Sequence, residues 1–433
     1  MSNSVQEKDS PSISKKHPQG WLRRLGPGLI TGAADDDPSG IATYSQCGAQ
    51  FGMKLLWTVL LTTPLMIAIQ IVSARIGVAT KCGIAENMRQ RFSLATSIAL
   101  VTLLFIANTV NIGADIAAMT GVIQLFIKIP SFILALLLGA VTLWLQVKFS
   151  FKQYVRILKW LTLSLFTYVG IVFTVEIPWK DVLLHTVVPS IEWQPRYFTA
   201  VVAILGTTIS PYLFFWQSAQ EVEEHEQKAK RLDGKTYSPS ASRELGRIKF
   251  DTVTGMILSN AIAFFIILTT AVTLHSRGVT DIATVAQAAE ALRPVAGSFA
   301  FALFALGILG TGLLSIPILA GSAAYAWAGA RNCPCGIDKK PTDAREFYLI
   351  IALAICCGVA LILLPLDPIK MLFWAAVING IISIPIMIAM IMVASSRSTM
   401  QAFTLSNRLR IFSWLTVVVV SVAVCGMVYQ LFS

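Results

Sequence analysis

Charge is scarce in this chain. Only 13% of its 433 residues are Asp, Glu, Lys or Arg, about half the usual share of a soluble domain. That scarcity excludes a disordered chain and an ordinary cytosolic enzyme. Cysteine is sparse too, and its seven copies (Cys47, Cys82, Cys333, Cys335, Cys356, Cys357, Cys425) are scattered. Cys333-Pro334-Cys335 has no second pair at zinc-ribbon spacing, so the cysteines read as free thiols and a disulfide scaffold is excluded. Histidine is scarcer still. His17, His185, His225 and His275 fall in the tail or near the ends of apolar runs, so none is expected mid-membrane as a proton relay. There is no GxxxxGK phosphate loop, no HExxH and no GxSxG elbow, and no nucleophile–base pair to support an enzyme. No cleavable signal peptide is apparent, because the first apolar run follows the polar stretch Met1–Gln19 and leads into a long interrupted helix.

What the chain has is apolar length. Hydrophobic residues make up 55% of it, and the mean hydropathy is +0.69. A membrane span needs about 20 such residues. Hydropathy places eleven spans, at 27–48, 55–78, 95–126, 131–147, 155–176, 197–220, 250–275, 297–330, 347–365, 369–394 and 411–432. Residues 280–292 read as a short amphipathic helix lying at the surface. The expected object is an all-α polytopic membrane protein. A polar cytoplasmic tail (1–24) precedes one transmembrane domain (25–432).

The net charge of +11 has two possible sources, nucleic acid or membrane topology. With the N-terminus cytoplasmic, 26 Lys and Arg fall in inside segments and 7 outside, with Arg75 left within a span. The positive-inside rule accounts for that bias and puts the C-terminus outside. No recognition helix or single-strand groove is visible, so nucleic acid is not an expected partner. The expected surroundings are a lipid bilayer, the plasma or inner membrane, crossed many times. Arg75 is expected to snorkel or to pair with an acid.

Two interruptions carry the chemistry. The first span reads Gly26-Pro27-Gly28-Leu29-Ile30-Thr31-Gly32-Ala33-Ala34-Asp35-Asp36-Asp37-Pro38-Ser39-Gly40. Each carboxylate at membrane depth costs about 2.5–3.5 kcal/mol even on a lenient scale, so these must face protein, water or a cation. Pro38 should break the helix and free backbone carbonyls. The alternative is a loop cap, with the helix starting at Pro38. The sixth span has a matching interruption, Gly206-Thr207-Thr208-Ile209-Ser210-Pro211-Tyr212. Two breaks five spans apart are what a five-plus-five inverted repeat predicts, with one substrate site between them. Repeat one would cover about 25–176, repeat two about 197–394, and an extra helix 411–432. An oxygen-only site of this kind suits hard divalent ions such as Mg2+ or Mn2+.

Other polar residues fall inside spans. Asn111 and Asp115 are four apart and share a helix face after Asn108, either as a structural polar pair or as a vestibule or proton site. Asn379, before Gly380 and Pro385, is a third contributor to the site or a packing notch. Glu221, Glu223, Glu224 and Glu226 read as a solvated helix face rather than a cation-attracting mouth.

At this point the motifs resemble a known family. The run Gly26 to Gly40, continuing through Ile41-Ala42-Thr43 and Gly48-Ala49-Gln50-Phe51-Gly52, is similar to the first span of Nramp divalent metal transporters, whose signature is Asp-Pro-Gly-Asn. Gly206 to Tyr212 resembles that family's Gly-Ala-Thr-Val-Met-Pro-His. The resemblance covers about residues 20–432. It implies the LeuT-type fold, about eleven helices with the first and sixth broken, and alternating-access transport of a metal that is cargo rather than cofactor. Asp37 matches the metal-binding aspartate. The family asparagine is Gly40 here, its alanine is Thr207, and its methionine is Ser210. Its sixth-span histidines are Tyr212 and Gln217, and the acidic partner of Asp115 is Ala118. Residues associated with proton coupling are therefore mostly missing. The pattern looks like the Nramp-related magnesium transporter branch, with Asn379 set against a tenth-span glutamine.

The resulting expectation is a carrier of Mg2+, and of Mn2+, without strong proton coupling. Asp37, Gly40, Thr207, Ser210 and Asn379 would hold the ion. Asp35, Asp36, Asp115, Tyr212 and Gln217 would line its path. The rivals are a proton-coupled Mn2+ or Fe2+ carrier and a sodium-coupled carrier of an organic solute.

Overall fold

The computed structural model describes residues 26–148, 163–231, 241–364 and 366–432. The 1–24 tail, residues 155–162 of the expected fifth span and the middle of the 221–249 connection lie outside the described residues. Among the described residues there are helices and turns but no strands. Eight stretches are long and apolar enough to cross a membrane.

The first apolar run is split. Helix α1 (Pro27–Asp35) ends and α2 (Pro38–Phe51) begins on either side of Asp36 and Asp37. Pro38 has no N–H to donate back, and its ring pushes the preceding residue out of the helical region. Asp37 accordingly is extended, at φ −71° and ψ 169°, and caps α2 by accepting from the Gly40 amide. Gly52, at φ 59°, then turns the chain through a short 3-10 turn in a conformation that disfavours any side chain. The second split follows the same rule. Helix α8 (Pro195–Thr208) stops before Ser210, and α9 (Pro211–Arg231) restarts on a proline.

The remaining long helices follow the apolar runs closely, with short helices in the connections between them. They are α3 (Leu56–Thr80), α4 (Ile84–Arg91), α5 (Leu94–Gln124), α6 (Ser131–Lys148) and α7 (Trp179–Val187) in the first half. The second half adds α10 (Ala241–Thr273), α11 (Val285–Glu290), α12 (Arg293–Ala296), α13 (Ala300–Arg331), α14 (Arg345–Leu361), α15 (Pro368–Ala394), α16 (Arg397–Met400) and α17 (Asn407–Phe432). The described end of the fifth span forms two 3-10 turns, Leu163–Thr167 and Val169–Phe173. The surface helix near 280–292 appears as α11 and α12, with a capping box between Thr284 and Gln287 starting α11.

Packing places the breaks at the centre. Helices α1 and α2 lie on α10, α8 lies on α15, and α5 lies against α13, α14 and α15. Close backbone contact fixes two of these seams. A Cβ on Gly32 would sit 2.4 Å from the Gly255 carbonyl oxygen, and one on Gly206 would sit 2.0 Å from that of Ala376. Small residues therefore let α1 meet α10, and α8 meet α15, at backbone distance, as is common between membrane helices. Helices α6 and α17 are the least buried of the long helices, as expected for an outer layer facing lipid.

Two expectations about charge are corrected. The glutamates after the sixth span are only in part a solvated face: Glu226 is exposed, but Glu221 and Glu223 take specific protein partners. Glu221 is 1% exposed and pairs with Arg247, which also contacts Glu224 and, at 3.0 Å, Glu244. Glu223 accepts from the Tyr325 hydroxyl and from the Ile337 amide at 3.0 Å. Burial between α9, α10 and the α13–α14 connection makes these carboxylates seek specific partners. Arg75 pairs with no carboxylate among the described residues, and its Nε is buried without a hydrogen bond. Of the two expectations for it, pairing fails.

Candidate metal site

Asp37 is the centre of the site. It is 2% exposed. Its Oδ1 accepts from the Gly40 amide at 2.7 Å and the Ser39 hydroxyl at 2.8 Å. Its Oδ2 accepts from Asn111 Nδ2 at 3.0 Å and from the Tyr212 hydroxyl at 3.3 Å. Four donors use the lone-pair capacity of a carboxylate. They come from the first break itself, from α5 and from the start of α9. A cation arriving here must displace a donor. The long Tyr212 contact is the weakest, and that hydroxyl also donates to the Ala34 carbonyl at 3.0 Å.

The second break comes up against the first. A Cβ on Gly40 would lie 3.2 Å from Thr207 Oγ1, and Tyr44 on α2 shares a 2.9 Å hydrogen bond with Thr208. Ser210 turns its hydroxyl proton back on its own helix end, to the carbonyls of Gly206 at 2.8 Å and Thr207 at 2.7 Å. That satisfies carbonyls left open where α8 stops. Asn379 is 0% exposed, and neither side-chain polar atom has a protein partner. Its neighbour Gly380 touches Gly206, which sets Asn379 at the level of the second break.

The other aspartates face elsewhere. Asp35 and Asp36 point toward α10, where one hydroxyl, Ser259, meets both at 2.5 and 3.2 Å. Asp115 is fully buried on α5 and accepts from Ser315 of α13 at 2.7 Å. Asn111 therefore serves Asp37, and its hydrogen bond does not go to Asp115. Gln217 lies two turns past Ser210 and donates to Thr252 of α10 at 2.9 Å, so it is not drawn to Asp37. No Lys or Arg pairs with Asp35, Asp36, Asp37 or Asp115 among the described residues. Uncompensated carboxylates in a low-dielectric interior attract a cation.

Sequence reasoning missed Ser259, Ser315 and Asp251. Asp251 accepts from the amides of Gly26, Gly28 and Leu29 at 2.8, 2.7 and 3.1 Å, and so caps α1 from α10. The exposed first amides of a helix need such an acceptor. Nothing in the local sequence marks a cap more than 220 residues away.

The site is closed on both sides, since every residue around Asp37 is buried. Helices α2 and α8 lead from it toward one cavity and α9 toward another. One, of about 610 Å³, lies by Gln46, Lys54, Glu192 and His275. In its wall Gln46 donates to Asp281 at 3.2 Å and accepts from the Ile282 amide at 2.9 Å. The other, of about 290 Å³, is lined by Cys82, Glu86, Glu223, Cys335 and Asp338. Burial and the Glu86 carboxylate push the Cys82 thiol up to about 12, and burial pushes Cys335 up to about 11. Protonated thiols are poor metal ligands at neutral pH, and among the described residues no three His, Cys, Asp or Glu converge as a metal cluster.

Comparison with known proteins agrees with this architecture. The chain is 26% identical over 408 residues to the divalent metal cation transporter MntH of Deinococcus radiodurans, covering 92% of this chain and 87% of that protein. It is 24% identical over 391 residues to MntH of Caldanaerobacter subterraneus, covering 88% and 87%. The crystal structure of the Eremococcus coleocola manganese transporter superposes with a TM-score of 0.70 at 17% identity, over 99% of this chain and 89% of that one. A Na+-coupled sialic acid symporter superposes at 0.57 and 10% identity, over 95% and 90%, so the fold is LeuT-type. The family model for natural resistance-associated macrophage protein-like chains matches residues 28–430. A multi-pass helical chain broken at Asp37-Pro38 and Ser210-Pro211, matched over nearly its whole length, is no enzyme but a transporter, and it belongs to the Nramp family.

Proposed function

We propose that this protein moves hard divalent cations, Mg2+ and Mn2+, across the membrane by alternating access, without strong proton coupling. The observation that carries this reading is the donor set. In the expected set, Asp37 would be the one carboxylate, joined by Gly40, Thr207, Ser210 and Asn379, with no thioether or imidazole among these residues. Oxygen donors select hard ions, whereas a thioether favours softer transition metals. Mg2+ dehydrates reluctantly and keeps several waters, so a site with one charged ligand suits it. Relatives are named for divalent metal and for manganese, which supports the cation class. The two cavities at opposite ends of the broken helices support alternating access.

On this reading Asp35, Asp36 and Asp115 hold the ion path negative, and Tyr212 yields its hydrogen bond on Asp37 to the arriving ion. The N-terminus is cytoplasmic and the C-terminus outside, from the distribution of Lys and Arg. The test is metal binding to the purified protein with Mg2+, Mn2+, Ca2+ and Cd2+. Comparable binding of Mg2+ and Mn2+ with no Cd2+ preference is expected. Strong Cd2+ preference, or proteoliposome acidification that tracks metal entry, would return the protein to the ordinary proton-coupled type.

A further inference from the structure

We infer that Asn111 is itself an ion ligand, a neutral oxygen supplied by α5 from outside both broken helices. The inference rests on the divalent-cation reading above. Two of the ligands proposed above bring little through their side chains. Gly40 has none, and Ser210 is folded back on its own carbonyls. Besides Asp37 and its immediate neighbour Ser39, the side chains that reach the Asp37 carboxylate are Tyr212 and Asn111.

Asn111 is 0% exposed. Its Nδ2 donates to Asp37 Oδ2 at 3.0 Å, while no protein donor reaches its Oδ1. Within one amide the oxygen and nitrogen are about 2.2 Å apart. The unpaired oxygen therefore lies beside the metal-binding carboxylate by covalent geometry alone. A buried oxygen with no donor is costly, and a cation on Asp37 removes that cost.

The present hydrogen bond suits the ion-free site. An N–H pointing at Asp37 stands where positive charge will arrive, and a bound cation repels it. The amide torsion of asparagine is broad and nearly two-fold. Half a turn exchanges Nδ2 for Oδ1 and presents an acceptor to the ion without moving α5. The released Nδ2 has an acceptor within reach of the same helix face. Asp115 lies four residues on, and its Oδ1 has no protein donor. Asn111 thus holds Asp37 with its nitrogen when the ion is absent and the ion with its oxygen when it is present.

The test uses the full-length protein in detergent, with Mg2+ and Cd2+ titrated by calorimetry into the wild type, Asn111→Leu and Asn111→Cys. Asn111→Leu is expected to weaken Mg2+ binding about tenfold or more. Asn111→Cys is expected to raise the Cd2+-to-Mg2+ affinity ratio by about tenfold, because a thiol in the coordination sphere favours the softer ion. A residue that only orients Asp37 would weaken both ions alike and leave that ratio within about twofold, which overturns the inference. Unchanged Mg2+ binding by Asn111→Leu overturns it as well. Should that variant not fold, the ratio for Asn111→Cys decides alone, since a ratio does not depend on the amount of active protein. If the wild type binds neither ion, the cation reading itself falls.

Discussion

The two broken helices start from the same local rule and end in different chemistry. In each, a short polar residue precedes a proline and the helix stops there. At the first break the polar residue is charged. Asp37 collects donors from its own turn, from α5 and from α9. At the second break the polar residue is neutral, and Ser210 returns its proton to the two carbonyls behind it. The first break is an anionic site that draws donors from neighbouring helices. The second is a self-capped end whose hydroxyl oxygen keeps lone pairs for a ligand. Each opened helix restarts on a proline, but proline alone does not open a span, since Pro64, Pro317 and Pro385 lie inside unbroken helices; the residue before it sets what the opening attracts.

Five substitutions and one control break or sharpen this contrast. The largest effect is expected at the charge. Asp37→Ala should weaken Mg2+ and Mn2+ binding by on the order of a hundredfold or more, since it removes the charged ligand, while Ser210→Ala should cost no more than about fivefold. Calorimetry on both variants measures the gap, and equal losses would erase the distinction between the breaks. Next comes the seam that seats the second break. Gly206→Ala puts a methyl 2.0 Å from the Ala376 carbonyl oxygen, and overpacking of this kind costs about 1–3 kcal/mol or more. Thermal unfolding in detergent should show it, with Gly83→Ala as a control because nothing lies within 4 Å of a Cβ there.

Ser210→Met tests the character of the second break. Placing a thioether beside Asp37 should shift the Cd2+-to-Mg2+ preference toward Cd2+ by about tenfold, read as competition in proteoliposome uptake. No shift would mean that position 210 does not face the ion. The smallest effect is expected from Tyr212→Phe. It removes one donor shared between Ala34 and Asp37, a loss of about 0.5–1.5 kcal/mol in stability. Metal affinity should hold or rise slightly, because one competitor for Asp37 is gone.

Much of the site was readable from local rules. Asp37-Pro38 and Ser210-Pro211 mark where these two spans can break, and carboxylates in an apolar run demand a partner whatever the fold. The partners themselves were not readable. Ser259 lies more than 220 residues from the carboxylates it serves, and Asp251 is as far from the helix end it caps. Asn111 was placed on the same face as Asp115, which is correct, yet its hydrogen bond goes to Asp37. Helix periodicity tells which residues share a face and says nothing about what that face meets. The glutamates after Tyr212 show the same limit, because charge alone reads as solvated until a neighbour buries it.

The sequence by itself determined that this is a membrane protein of many helices, that its first and sixth spans are broken, and that Asp37 is the charged residue at the first break. Those properties follow from apolar run length, from the missing proline N–H and from the cost of charge in an apolar run, all of them local. Only the tertiary structure decided that Asp37 faces α5 and α9 while Asp35 and Asp36 face α10. It also decided that Asn111 donates to Asp37 and that Gln217 donates to Thr252 instead. The reason is that a break frees polar groups in several directions at once. Which direction finds which partner depends on how closely α1 meets α10 and α8 meets α15, and glycines distant in the chain set those approaches.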